Sequence, residues 1–215
     1  MSATPRIKVC GLTRKKDIAR VLELGADFAG VIVYAQSPRG VSTQKAAELV
    51  CDIPQGKRVL VDVAPSPERL EAHKALGFDH YQIHFDPAET SPATLAGWSR
   101  LAGRQSLWLA PRLPQGSVFP ECLLDIADTF LIDAFHAGLY CGSGQVGDWG
   151  FFSRQKTAFP EKRWILAGGL NPPNIAAALA ATGADCVDVN SGVEAEPGVK
   201  DHAKLEAFFK AARPN

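Results

Sequence analysis

Eight short apolar or β-branched runs constrain this chain more than any other feature. They lie at residues 6–10, 28–34, 58–63, 80–84, 106–110, 129–133, 163–167 and 186–190. Each has strand length, and several are apolar almost without interruption, as strands covered on both faces must be. Their centres recur about every 22–34 residues, roughly one strand–helix unit apart. Helix signals fill the gaps. Thr13 can cap a helix whose apolar stripe is Ile18, Val21 and Leu22 and whose stop is Gly25. Ser42 opens a second, with Ala46, Leu49, Val50 and Ile53 at helical spacing. Ser66 with Pro67, Ser91 with Pro92, and Asn171 with Pro172 each read as an N-cap followed by the first helical residue. Asp201 starts a last helix with Leu205, Phe208 and Phe209 inward.

A weak internal repeat points to how the units are arranged. Leu24-Gly25-Ala26-Asp27, Leu76-Gly77-Phe78-Asp79, Ile126-Ala127-Asp128 and Gly183-Ala184-Asp185 each lead into every second strand, about 49–57 residues apart. A period of two strand–helix units predicts an α/β fold of the closed (β/α)8, or TIM-barrel, type. An open doubly wound sheet is the alternative, since helix ends look alike in any α/β fold. The barrel typically takes ~250 residues, so a chain of 215 is expected to be a single barrel domain over 1–215.

Composition removes several function classes. Twenty-three basic residues balance 23 acidic ones, which gives no broad electrostatic reason to bind nucleic acid or a membrane surface. The longest apolar stretches, such as residues 28–35, fall well short of the ~20 that span a bilayer. Residues 1–6 carry no apolar export segment. The five cysteines, at 10, 51, 122, 141 and 186, are odd in number and widely spaced. They predict free thiols in a reducing, cytoplasmic setting rather than a disulfide framework. His73, His80, His84, His136 and His202 form no zinc-ligand spacing with them, so no metal is expected.

In a closed barrel of this kind, active sites gather at the C-terminal ends of the strands. The residues there are Cys10-Gly11, Ser37-Pro38-Arg39, His84, Arg112, Asp133, Gly168-Gly169 and Asn190-Ser191-Gly192. The two glycine clusters follow the seventh and eighth strands, where backbone amides frequently bind phosphate. Simple turn formation is the plainer reading of both. Cys10 could be a small buried hydrophobe. Asp133, ending an apolar strand, is costly unless paired or useful. A thiol and a carboxylate facing each other across the barrel mouth suit a proton removed at one atom and delivered at another. An ordinary thiol is mostly protonated at neutral pH, so such a base needs its thiolate favoured, local amides being one means.

Ile7-Lys8-Val9-Cys10-Gly11-Leu12-Thr13 resembles the opening of the phosphoribosylanthranilate isomerase family, from tryptophan biosynthesis. So do Ser37-Pro38-Arg39, Leu131-Ile132-Asp133-Ala134, Leu166-Ala167-Gly168-Gly169-Leu170-Asn171-Pro172, and Asp188-Val189-Asn190-Ser191-Gly192-Val193-Glu194 with Pro197-Gly198-Val199-Lys200-Asp201. The likeness runs through essentially the whole chain. It implies an Amadori rearrangement of N-(5'-phosphoribosyl)anthranilate, without cofactor. Asp133 is then the general acid on the ring oxygen and Cys10 the general base at C2. Arg39 would hold the anthranilate carboxylate, and His84 and Asp188 would contact the substrate. Gly168, Gly169, Asn190, Ser191 and Gly192 would hold the phosphate. The implied partner is a phosphorylated small molecule, bound by a monomer or homodimer, with neither nucleic acid nor membrane involved.

Several positions depart from the family pattern. Phe85 follows His84 where the family usually has glycine, Gly40 follows Arg39 where it has an aromatic, and the sixth loop reads Cys141-Gly142-Ser143-Gly144 and then Gly147-Asp148-Trp149. These changes are expected to crowd one loop and to remove two aromatic contacts. They keep open an isomerase or epimerase of another phosphorylated sugar, and a catalytically silent barrel that binds one.

Overall fold

The computed structural model describes residues 4–114, 116–133 and 148–214. Eight parallel strands close into a barrel in chain order: β1 (Arg6–Val9), β2 (Phe28–Ile32), β3 (Arg58–Val63), β4 (His80–Phe85), β5 (Leu107–Pro111), β6 (Thr129–Asp133), β7 (Arg163–Ala167) and β8 (Cys186–Val189). β1 pairs with β2 on one side, Val9 beside Ala29, and with β8 on the other, Val9 beside Val189. That second pairing excludes the open sheet. The expected strands hold to within two residues at every end.

The helices are α1 (Lys15–Glu23), α2 (Thr43–Val50), α3 (Pro67–Lys74), α4 (Pro92–Ala102), α5 (Trp149–Ala158), α6 (Ile175–Thr182) and α7 (His202–Ala212). Ser42, Ser66 and Ser91 cap α2, α3 and α4 as expected, each accepting the amide three residues on. Asp201 caps α7 by accepting from Ala203 and Lys204. Two expected caps are corrected. Arg14 occupies the N-cap of α1, because the Thr13 hydroxyl donates instead to the Gly198 carbonyl. α6 starts three residues later than expected, because Asn171 closes a turn by accepting from the Asn174 amide before the helix begins. Between β5 and β6 the helical element is a single 3-10 turn at Glu121–Asp125. A small antiparallel hairpin, β9 (Glu194–Glu196) and β10 (Val199–Lys200), lies between β8 and α7.

The Asp residues of the internal repeat lie at the N-terminal rim, where two of them tie neighbouring strands together. Asp27 accepts from the Ile7 amide at 2.8 Å, and Asp79 from those of Gly56 and Arg58 at 2.8 and 3.0 Å. Period-two alternation sends every other strand residue inward. Phe28, Val59, Val61, Trp108, Leu131, Ile165 and Cys186 fill the barrel interior, while Ile7, Val31, Leu60, Ile83, Leu109, Phe130 and Val187 pack outward against the helices. The interior is not wholly apolar. Lys8, Gln82, Thr129 and Asp188 are buried among these side chains.

Candidate active site

A pocket of 480 Å³ opens at the C-terminal ends of the strands. Cys10, one residue past β1, and Asp133, the last of β6, both line it. Arg39, His84, Gly168, Gly169, Asp188, Asn190 and Ser191 line it too. Gly192 sits just behind, where a Cβ would fall 2.0 Å from the Leu170 carbonyl oxygen and 2.9 Å from Asn171 Cβ. The loops after β7 and β8 are therefore packed backbone against backbone, which only a glycine permits. Gly168 and Gly169 carry positive φ of 93° and 63°, turning the main chain at the same rim. Arg112 is exposed and does not line the pocket.

Arg39 is held by Glu194. Its Nε donates to both carboxylate oxygens, at 2.9 and 3.0 Å, and its Nη2 donates to Oε2 at 2.7 Å. Lys200 completes the cluster, donating to Glu194 Oε1 at 2.9 Å and to Asn190 Oδ1 at 2.9 Å. Burial alone would raise Glu194, but hydrogen bonds from Arg39 and Lys200 outweigh it and hold the carboxyl below the ordinary range. The β9–β10 hairpin thus braces both Arg39 and the Asn190 loop. Gly11 lies between them, and a Cβ there would come within 2.6 Å of Asn190 Oδ1 and 2.9 Å of Arg39 Cδ.

Gly40 has a steric reason of its own. A Cβ there would stand 2.3 Å from the Tyr34 carbonyl oxygen, so no aromatic fits after Arg39 in this loop. Tyr34 itself lines the pocket and supplies an aromatic ring. Phe85 points away from the mouth, buried against Trp98 with ring centroids 5.5 Å apart. The remaining departures, Cys141, Gly142, Ser143, Gly144 and Gly147, lie outside the described residues, as do Ala134 and His136.

The titratable groups differ sharply in environment. Burial, aided by the charge of Lys8, pushes His84 down to about 4. With Gln82 Nε2 donating to it at 2.8 Å, its Nε2 is the acceptor of a neutral ring. Burial pushes the Cys10 thiol up; Lys8 pulls it back down, and Asp188 adds to the rise. Asp188 is also raised by burial, against the pull of Lys8, whose Nζ donates to its Oδ1 at 2.9 Å. Asp62, on β3, is a third pocket carboxylate. It is raised by burial and held from behind by Arg69 Nη2 at 2.9 Å. Asp133 is exposed at the rim. Among the described residues no group of His, Cys, Asp and Glu is arranged to hold a metal ion.

The sequence reading missed Lys8, Asp62, Gln82, Glu194 and Lys200 as parts of the site. One signal for Lys8 was available, because it sits two residues before Cys10 on one strand and therefore shares its face. The partners of Arg39 and Lys8 are 155 and 180 residues away in the chain and leave no local signal.

Comparison with known proteins gives a consistent likeness. A family model described as N-(5'phosphoribosyl)anthranilate (PRA) isomerase matches residues 7–211. The N-(5'-phosphoribosyl)anthranilate isomerase of Zymomonas mobilis subsp. mobilis is 34% identical over 212 residues, covering 97% of this chain and 98% of its own. The crystal structure of phosphoribosyl anthranilate isomerase from Thermotoga maritima matches at TM-score 0.77 and 30% identity, over 97% of this chain and 98% of that one. A phosphoribosyl anthranilate isomerase in complex with reduced 1-(o-carboxyphenylamino)-1-deoxyribulose 5-phosphate matches at TM-score 0.73 and 29% identity, over 97% and 98% of the two chains.

Proposed function

This chain belongs to the N-(5'-phosphoribosyl)anthranilate isomerase family, and we propose that the pocket at the barrel mouth carries out the rearrangement with Cys10 and Asp133 as its base and acid. The chain is an isomerase of tryptophan biosynthesis. The observation that carries the assignment is that Cys10 from the first strand and Asp133 from the sixth line one 480 Å³ pocket with the paired loops after β7 and β8.

Asp133 gives its proton to the ring oxygen as the furanose C1–O bond breaks, and the anthranilate nitrogen forms a double bond to C1. Cys10 takes the proton from C2, and the electron pair moves to make the enolamine. Protonation at C1 and loss of the C2 hydroxyl proton then give the ketone, so atoms and charge balance without a redox partner. The phosphate lies between Gly168–Gly169 and Asn190–Gly192, whose close packing brings two sets of main-chain groups to one point. Glu194 occupies Nε and Nη2 of Arg39, so the remaining edge of the guanidinium, at Nη1, takes the anthranilate carboxylate. Asp188 and the neutral His84 face the sugar.

A cytoplasmic setting is supported by Cys10, Cys51, Cys122 and Cys186 being free thiols. The test is turnover of N-(5'-phosphoribosyl)anthranilate generated in situ, because it is unstable. Conversion by the purified chain is expected. Binding of the substrate without conversion, or conversion only of another phosphorylated sugar, would overturn the assignment.

A further inference from the structure

We propose that Lys8 is the positioning residue that enables Cys10 to act as a base: its buried ammonium, fixed by Asp188, stands beside the Cys10 sulfur and stabilises the thiolate. The inference rests on the reading of Cys10 as the base. Lys8 and Cys10 are two residues apart at the end of β1 and share the inward face. The Lys8 side chain is fully buried, and its Nζ is 2.9 Å from Asp188 Oδ1. Gly30 on β2 shows how near the sulfur is. A Cβ there would lie 3.1 Å from Cys10 Sγ, 3.1 Å from Lys8 Cε and 3.1 Å from Lys8 Nζ. Sulfur and ammonium are therefore no more than about 6 Å apart, inside the range where opposite charges shift a titration. The missing side chain at Gly30 is what lets them approach.

A buried ion pair is weak grounds for stability, since well-packed apolar groups of the same volume often serve as well. Lys8 does not line the pocket, whereas Cys10 and Asp188 do. It therefore acts through Cys10 rather than on substrate. Other charges face the sulfur as well. Asp188 on β8 opposes the thiolate, while Lys200 on β10 and Arg39 after β2 favour it. Lys200 and Arg39 are both engaged by Glu194. Asp133 on β6 acts on Asp188, and His84 on β4 is neutral. Burial works against the thiolate, and Lys8 is the strongest influence opposing it.

The readout is the pH midpoint for alkylation of Cys10 by iodoacetamide in the full chain. It is followed by mass spectrometry of the Cys10 peptide, so that the other cysteines do not contribute. Lys8→Met should move the midpoint to alkaline pH by about one unit or more, and Asp188→Asn should move it to acid. Lys8→Met combined with Asp188→Asn leaves no unpaired buried charge, and its midpoint should lie alkaline of that for Asp188→Asn alone. That comparison decides if the single Lys8 variant does not fold. Turnover of Lys8→Met at neutral pH should fall about tenfold or more and recover in part as pH rises. An unmoved midpoint, or movement in the same direction for Lys8→Met and Asp188→Asn, overturns the proposal. The measurement reports on the thiol itself. If Cys10→Ala retained turnover, the base assignment would fall while the midpoint shift stood.

Discussion

Arg39 was legible in the sequence as a strand-end cation, but its restraint was not. Glu194 grips it through three hydrogen bonds of 2.7–3.0 Å, and the two lie on opposite sides of the chain's closure. A fixed carboxylate is present in substrate and transition state alike, so its partner contributes largely uniform binding. Arg39→Ala should therefore raise KM strongly while kcat falls less, as steady-state kinetics would show; a collapse of kcat at unchanged KM would refute the role. Lys8 teaches the same lesson more sharply. Its spacing from Cys10 gives its face, but its partner Asp188 is met only when β1 closes on β8.

Elements were more legible than contacts. The strands were readable because parallel strands covered on both faces leave continuous apolar runs, and Ser42, Ser66, Ser91 and Asp201 were readable because a cap is a local device. Thr13 and Asn171 failed as helix caps because a tertiary partner, Gly198, and a local turn to Asn174 claimed them. α5 went unseen because Phe152 is its one buried residue, leaving no apolar stripe to read; Asp148, which caps it by accepting from the Phe151 amide at 2.7 Å, was the signal available. The loop after β8 carries a prediction at this scale. Gly192→Ala must displace the Leu170 carbonyl, 2.0 Å from its new methyl. Forced overpacking of this kind costs typically about 1–3 kcal/mol. We expect that loss in urea denaturation, together with a raised KM as the two loops separate. Unchanged KM in a folded variant would place the phosphate elsewhere.

Closure of the barrel is also what holds the molecule together at its seam. Asp17, fully buried on α1, accepts from Arg14 at 2.8 and 2.9 Å, from the Lys200 amide at 3.2 Å and pairs with His202 at 2.9 Å, so it joins α1 to β10 and α7. Burial would raise Asp17, but these hydrogen bonds hold it below the ordinary carboxylate range, as those from the Arg39 and Lys200 side chains do Glu194. A folded-state pKa below that of the unfolded chain contributes stability that is present above the ordinary carboxylate range. That stability is lost as pH falls through the depressed value. Acid should therefore weaken the fold from about pH 4 downward, and Asp17→Asn should cost about 1.5–3 kcal/mol at neutral pH while flattening that acid limb. Denaturation curves at several pH values would check both; an acid limb as steep in Asp17→Asn as in the parent would count against it. The same closure brings a thiol from the first strand and a carboxylate from the sixth to one pocket, and that pairing is the central claim. Its most direct measurement is turnover of N-(5'-phosphoribosyl)anthranilate by Cys10→Ala and by Asp133→Asn, with folding and binding of a product analogue verified in each. General acid–base groups are worth typically ~10²–10⁴ in rate, so each variant should lose at least ~10² in kcat while still binding the analogue; near-normal turnover in either one would contradict the assignment.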